Sequence, residues 1–90
     1  MPRAESTIEA IILALPQTAG SALYGMVDVL AATGTLWSEL VGEGPGRPLI
    51  RPRVASTTKR SFRCGNGIPI NPELTLEEAT RPDIVIVPEL

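Results

Sequence analysis

Ile8-Glu9-Ala10-Ile11-Ile12-Leu13-Ala14-Leu15-Pro16 is the stretch on which the fold turns. It is apolar at nearly every position, and it stops at a proline, which has no N–H to continue a ladder or a helix. A short apolar run closed in this way predicts a strand buried on both faces. A buried helical segment is the rival reading, but the run is short for one. The pattern returns at Asp83-Ile84-Val85-Ile86-Val87-Pro88, again apolar, β-branched and ended by proline.

Outward from the first run, Gln17 to Ser21 forms a turn, and Ser21 or Thr18 is placed to cap a helix. Leu23, Met26, Val27, Leu30 and Ala31 recur at helical spacing and define one apolar stripe, with Gly34 as the stop. Leu36, Trp37, Leu40 and Val41 renew that spacing, so a second helical piece is expected up to about Val41. Gly42 to Pro48 holds three glycines and two prolines and reads as a connecting loop. Leu49 to Ala55 and Thr58 to Cys64 read as two strands joined near Ser56-Thr57, with Pro52 marking an edge or a bulge. Gly65-Asn66-Gly67 is a turn signal, Ile68 to Ile70 a short extended piece, and Leu74 to Ala79 a short helix after the Asn71-Pro72 turn. A strand, a long helical connection and a second strand predict a right-handed parallel crossover. Ligands of such a doubly wound sheet gather at the carboxyl ends of its strands.

Composition bounds the rest. Tyr24, Trp37 and Phe62 are the only aromatics in 90 residues, so Ile, Leu, Val and Ala must supply the core. The formal charge of −2 does not argue for nucleic-acid or membrane affinity of the whole chain. There is no histidine, which removes the commonest general base and metal ligand. A lone cysteine, Cys64, gives no internal disulfide and no zinc spacing. No metal and no cofactor is expected. The start of the chain carries Arg3 and Glu5 and leads into a short apolar run, well below the roughly 20 residues of a membrane span. A cytoplasmic protein without membrane contact is the expectation.

Three stretches carry a resemblance to a known family: Ala10 to Pro16 with the following Gly25-Met26-Val27-Asp28-Val29-Leu30, then Arg63 to Pro69, then Pro82 to Leu90. In order and spacing they resemble the start of the ThiJ/PfpI, or class I glutamine-amidotransferase-like, superfamily. More narrowly they resemble the N-terminal sensor domain of AraC-type transcription regulators of the GlxA group. The resemblance covers about Ile8 to Leu90. It implies an α/β, flavodoxin-like and mostly parallel sheet with flanking helices, of which residues 1–90 would be the N-terminal half. The segment with the nucleophile turn of the family's enzymes and the helix-turn-helix domain would lie beyond. It further implies a homodimer, a small-molecule effector, and DNA contact only through that further domain. An enzyme of the same superfamily, a cysteine hydrolase, amidotransferase or isocyanide-hydratase-like protein, is the alternative.

Two departures point away from catalysis. Where superfamily enzymes follow the strand matching Asp83 to Val87 with a Gly-Gly pair, Pro88-Glu89-Leu90 stands here, and proline offers no N–H to an oxyanion. Where the hydrolase-like members place a glutamate early in the first long helix, the stretch around Ala22 holds no acid. No catalytic residue is therefore assigned.

Gln17, Thr18 and Glu89 follow strand ends at the expected ligand-facing edge and are the candidates to hydrogen-bond a polar effector. Capping and solvation are the simpler account of them. Arg47, Arg51, Arg53, Lys59, Arg60 and Arg63 form a basic run without an intervening acid, readable as a phosphate or docking face but more simply as a solvated basic hairpin at a sheet edge. Cys64 reads as a packing residue, Gly65-Asn66-Gly67 as a plain turn, Asp28 and Glu39 as solvated charges, and Trp37 as a packing side chain.

Overall fold

A computed structural model describes residues 7–44 and 46–88, with the side chain of Trp37 outside the described part. The first apolar run forms β1 (Ile8–Leu13), and Ala14 extends its ladder by donating to the Ala55 carbonyl at 2.8 Å. The chain then turns, with Thr18 N–H donating to Leu15 C=O, and enters α1 (Gly20–Ala32). After the left-handed Gly34 (φ 92°) comes α2 (Leu36–Leu40), and the glycine-rich loop leads into β2 (Ile50–Ser56). β1 and β2 pair in parallel from Ile8 with Ile50 to Leu13 with Ala55, so the crossover predicted from spacing is present.

Two of the elements expected after β2 take another form. Thr58 to Cys64 does not form a long strand returning along β2. Both sides of β2 at its carboxyl end are occupied by parallel partners: Ala55 pairs with Leu13 of β1 and with Leu74 of β5 (Leu74–Thr75). Only β3 (Phe62–Arg63) is extended, and it pairs antiparallel with β4 (Pro69–Ile70) across the Gly65-Asn66-Gly67 turn. Asn66 (φ 61°) and Gly67 (φ 74°) supply the left-handed geometry of that turn. The expected helix over Leu74 to Ala79 is also absent. Its first two residues are taken by β5, which pairs with Ala55 and Ser56 of β2, and the remainder is a hydrogen-bonded turn.

The final strand is β6 (Ile84–Ile86), parallel to β1 on the side away from β2, which gives the sheet order β5-β2-β1-β6. The fold class is therefore α/β with a parallel central sheet, as predicted. Pro52 sits in β2 below the reach of β5, which pairs only with Ala55 and Ser56, so the ladder is open there and the missing donor is tolerated.

Pairing parity sorts the side chains onto two faces. Ile12, Val54 and Ile86 face α1 and pack with Leu23, Met26, Val27, Leu30, Cys64 and Ile70. Ala31, included in the stripe on spacing, is exposed. Ile11, Ala55 and Leu74 face the other way and are covered by Ala79, on the connection from β5 to β6. The β1–β2 and β5–β6 connections run in opposite directions along the sheet and lie on opposite faces, as two crossovers of the same hand must. β6 is only half covered: Ile84 (42% exposed), Val85 (59%) and Val87 (56%) meet solvent among the described residues, unlike the doubly buried strand expected. The β3–β4 hairpin is tied to α1 by the Tyr24 hydroxyl, which donates to Pro69 C=O at 2.7 Å.

Candidate functional site

The carboxyl ends of β1 and β2 open onto a cleft of about 200 Å³ lined by Pro16, Ser56, Thr57, Thr58, Arg60, Ser61 and Phe62. Its floor is fixed by the buried Ser56, whose hydroxyl donates to the Ala14 carbonyl at 2.6 Å and so ties the two strand ends together. Ser61 donates to Asn71 Oδ1 at 2.5 Å, and the Arg60 N–H donates to Thr58 Oγ1 at 3.3 Å. Pro16 and Phe62 give the cleft its apolar walls.

Charge around the cleft is divided unequally between two neighbours. Lys59 donates to Glu78 Oε2 at 3.1 Å in an exposed ion pair. The Glu78 carboxylate is held below its usual range, first by the Thr75 backbone N–H and then by Lys59. Lys59 is thus matched by an acid. No hydrogen bond or ion pair engages the Arg60 guanidinium among the described residues, and Arg60 is one of the residues that line the cleft.

Of the residues expected to form the site, neither Gln17 nor Thr18 lines the cleft. Gln17 is exposed, next to Pro16, and does not line the cleft. Thr18 has no exposed surface: its Oγ1 accepts the Leu15 N–H at 2.9 Å and its carbonyl accepts the Gly65 N–H at 3.1 Å. It also does not cap α1, whose N-cap is Ala19 without a side-chain bond, while Ser21 lies inside the helix. Glu89 lies outside the described residues. The sequence points to the ends after Leu15 and Val87, whereas the cleft lies between the ends of β1 and β2 and is lined chiefly by residues 56–62. The signal was Ser56-Thr57-Thr58-Lys59-Arg60-Ser61, a hydroxyl-rich and basic run directly after a buried strand. Reading Thr58 to Cys64 as strand concealed it.

The basic run does not form one face. Arg51 pairs with Glu9 at 3.7 Å near the amino end of the sheet, Lys59 pairs with Glu78, and Arg63 donates to the Gly67 carbonyl at 2.7 Å. Cys64 is buried, its thiol directed at the Ile68 carbonyl at 3.3 Å, which is a packing position. Asp28 and Glu39 lie on separate helices, both exposed. Among the described residues no cluster of His, Cys, Asp and Glu is arranged for a metal ion, and no helix is long and apolar enough to cross a membrane. In comparisons with known proteins, no family model, no curated protein and no solved structure matches the chain.

Proposed function

We propose that the chain is the N-terminal part of a noncatalytic sensing and dimerising domain of an AraC-type transcription regulator, built on a flavodoxin-like sheet. The observation that carries this reading is the cleft at the carboxyl ends of β1 and β2, where a parallel α/β sheet takes its ligands. The resemblance of Ala10 to Pro16, Arg63 to Pro69 and Pro82 to Leu90 to that regulator family supports it from the sequence side. The noncatalytic part is supported by the chemistry at hand. There is no histidine, the one thiol is buried against a carbonyl, and Pro88 follows β6 where an N–H donor would be needed. The half-covered β6 supports further strand-helix units packing against it in the whole regulator. A small molecule in the cleft would then bias a DNA-binding domain elsewhere in that protein, provided it binds two states of the whole with different affinity.

Reading the gene past the codon for Leu90 and expressing the longest open frame tests the reading. The expected product contains a helix-turn-helix domain, forms a dimer, and retards promoter DNA in a mobility-shift assay that a metabolite alters. A frame that instead supplies a cysteine on a strand-to-helix turn and no further domain, with hydrolase or hydratase activity in the product, would replace the regulator with an enzyme of the same superfamily.

A further inference from the structure

We infer that the cleft takes a small carboxylate that also carries a hydrogen-bond donor, the chemistry of a short hydroxy acid. The inference rests on the sensing role proposed above and names the ligand class for that same cleft. Size comes first. About 200 Å³ is below the usual volume of a small-molecule site and holds on the order of six or seven water-sized groups.

Hydrogen-bond chemistry then sorts the polar lining residues into two sets. Arg60 offers a planar guanidinium that matches a carboxylate in a two-pronged arrangement, and it is engaged by no other side chain among the described residues. The Thr57 and Thr58 hydroxyls have rotatable O–H groups beside it, and Thr58 Oγ1 already accepts a bond from Arg60 N–H, which leaves its hydrogen to donate. These are donors for an anion. Ser56 and Ser61 are the opposite case. Each has committed its hydrogen, to Ala14 C=O and Asn71 Oδ1 respectively, so what their oxygens can still offer is acceptance. An anion without a donor satisfies only the first set. A ligand that carries both a carboxylate and an O–H satisfies both, and Pro16 and Phe62 offer apolar contact to its carbon skeleton.

The test is titration of the isotope-labelled chain by amide NMR with lactate, with lactamide as its uncharged counterpart and propionate as the carboxylate without a hydroxyl. Lactate is expected to shift the amides of residues 57–61 saturably, and lactamide and propionate to bind more weakly. Arg60→Gln should weaken lactate roughly ten- to a hundredfold, the loss of one charge-assisted contact, while Lys59→Gln should change it little. The spectrum of each variant reports its folding in the same experiment. Equal binding of lactate and lactamide, or lactate binding unaffected by Arg60→Gln, would overturn the carboxylate assignment while leaving the cleft as a ligand site. Propionate binding as tightly as lactate would overturn the requirement for a donor. The absence of any saturable shift at residues 57–61 with all three would overturn the ligand class. The sensing role itself fails separately, in the DNA mobility-shift assay.

Discussion

Thr18 and Gln17 are neighbours in sequence and opposites in environment. The Thr18 hydroxyl accepts the Leu15 N–H at 2.9 Å in a side chain with no exposed surface, whereas Gln17 is exposed. Replacing Thr18 with valine keeps its volume and removes the acceptor, so a part-buried backbone donor loses its partner. That costs about 1–3 kcal/mol, and each kcal/mol lowers Tm by roughly 4–8 °C in a domain of this size. Gln17→Ala should stay within about 0.5 kcal/mol of the parent. Thermal and urea unfolding of the two variants checks this, and equal stability of Thr18→Val and the parent would show that the hydroxyl has no structural part. Sequence alone could not separate the two residues. Both are polar and both follow a strand end, and only the approach of the β3–β4 hairpin, with Gly65 donating to Thr18 C=O, buries one of them.

At the scale of elements, the turn after β5 is held by reciprocal bonds. Thr75 N–H donates to Glu78 Oε1 at 2.9 Å, and Glu78 N–H donates to Thr75 Oγ1 at 3.1 Å. This is the arrangement that usually opens a helix, here closing a single turn. Because the Glu78 carboxyl is held below its ordinary value, chiefly by the Thr75 backbone N–H, its stabilising effect is present above the unfolded-state value near about 4.3 and is lost as pH falls through the lower folded value. A carbon-detected NMR titration should give Glu78 a midpoint below the ordinary glutamate value. Lys59→Gln should raise that midpoint only in part, since the backbone bond remains; full reversion would assign the effect to Lys59 instead. The same turn explains where sequence reading stops. Ile8 to Leu15 and Asp83 to Val87 announce strands by themselves, because burial between layers demands continuous apolar runs. Leu23, Met26, Val27 and Leu30 likewise announce the helix face that meets the sheet. Leu74 to Ala79 has helical spacing and a capping signal, yet its conformation is decided by the free carboxyl-end edge of β2, far away in sequence. The cleft was hidden for the same reason, since Thr58 to Ser61 leave the strand only because β5 takes the place beside β2.

The whole molecule is a sheet with two unlike faces, and adjacent residues of β6 sample both. Ile86 lies on the α1 side and packs against the cluster of Ile12, Leu23 and Val54. Val85 pairs with Ile11, points to the other face and is 59% exposed. A charge placed at these two positions should therefore have different consequences. Ile86→Lys must either bury an ammonium beside the core or strip packing from it, which costs at least about 2 kcal/mol. Domains of this length hold only about 5–13 kcal/mol in total. Val85→Lys leaves the core intact, should change unfolding stability by less than about 0.5 kcal/mol, and should lower light scattering by charging an apolar strand at the sheet edge. Urea unfolding and static light scattering of both variants measure the contrast, and similar losses at the two positions would mean that the second face is as closely packed as the first. The contrast belongs to residues 1–90. In the longer regulator proposed above, added units would cover β6, and Val85→Lys should then destabilise the protein by an amount comparable to Ile86→Lys. Measuring the Val85→Lys penalty in the two lengths of chain thus asks directly whether β6 is an outer strand or an inner one, and an unchanged small penalty in the longer protein would leave it at the edge.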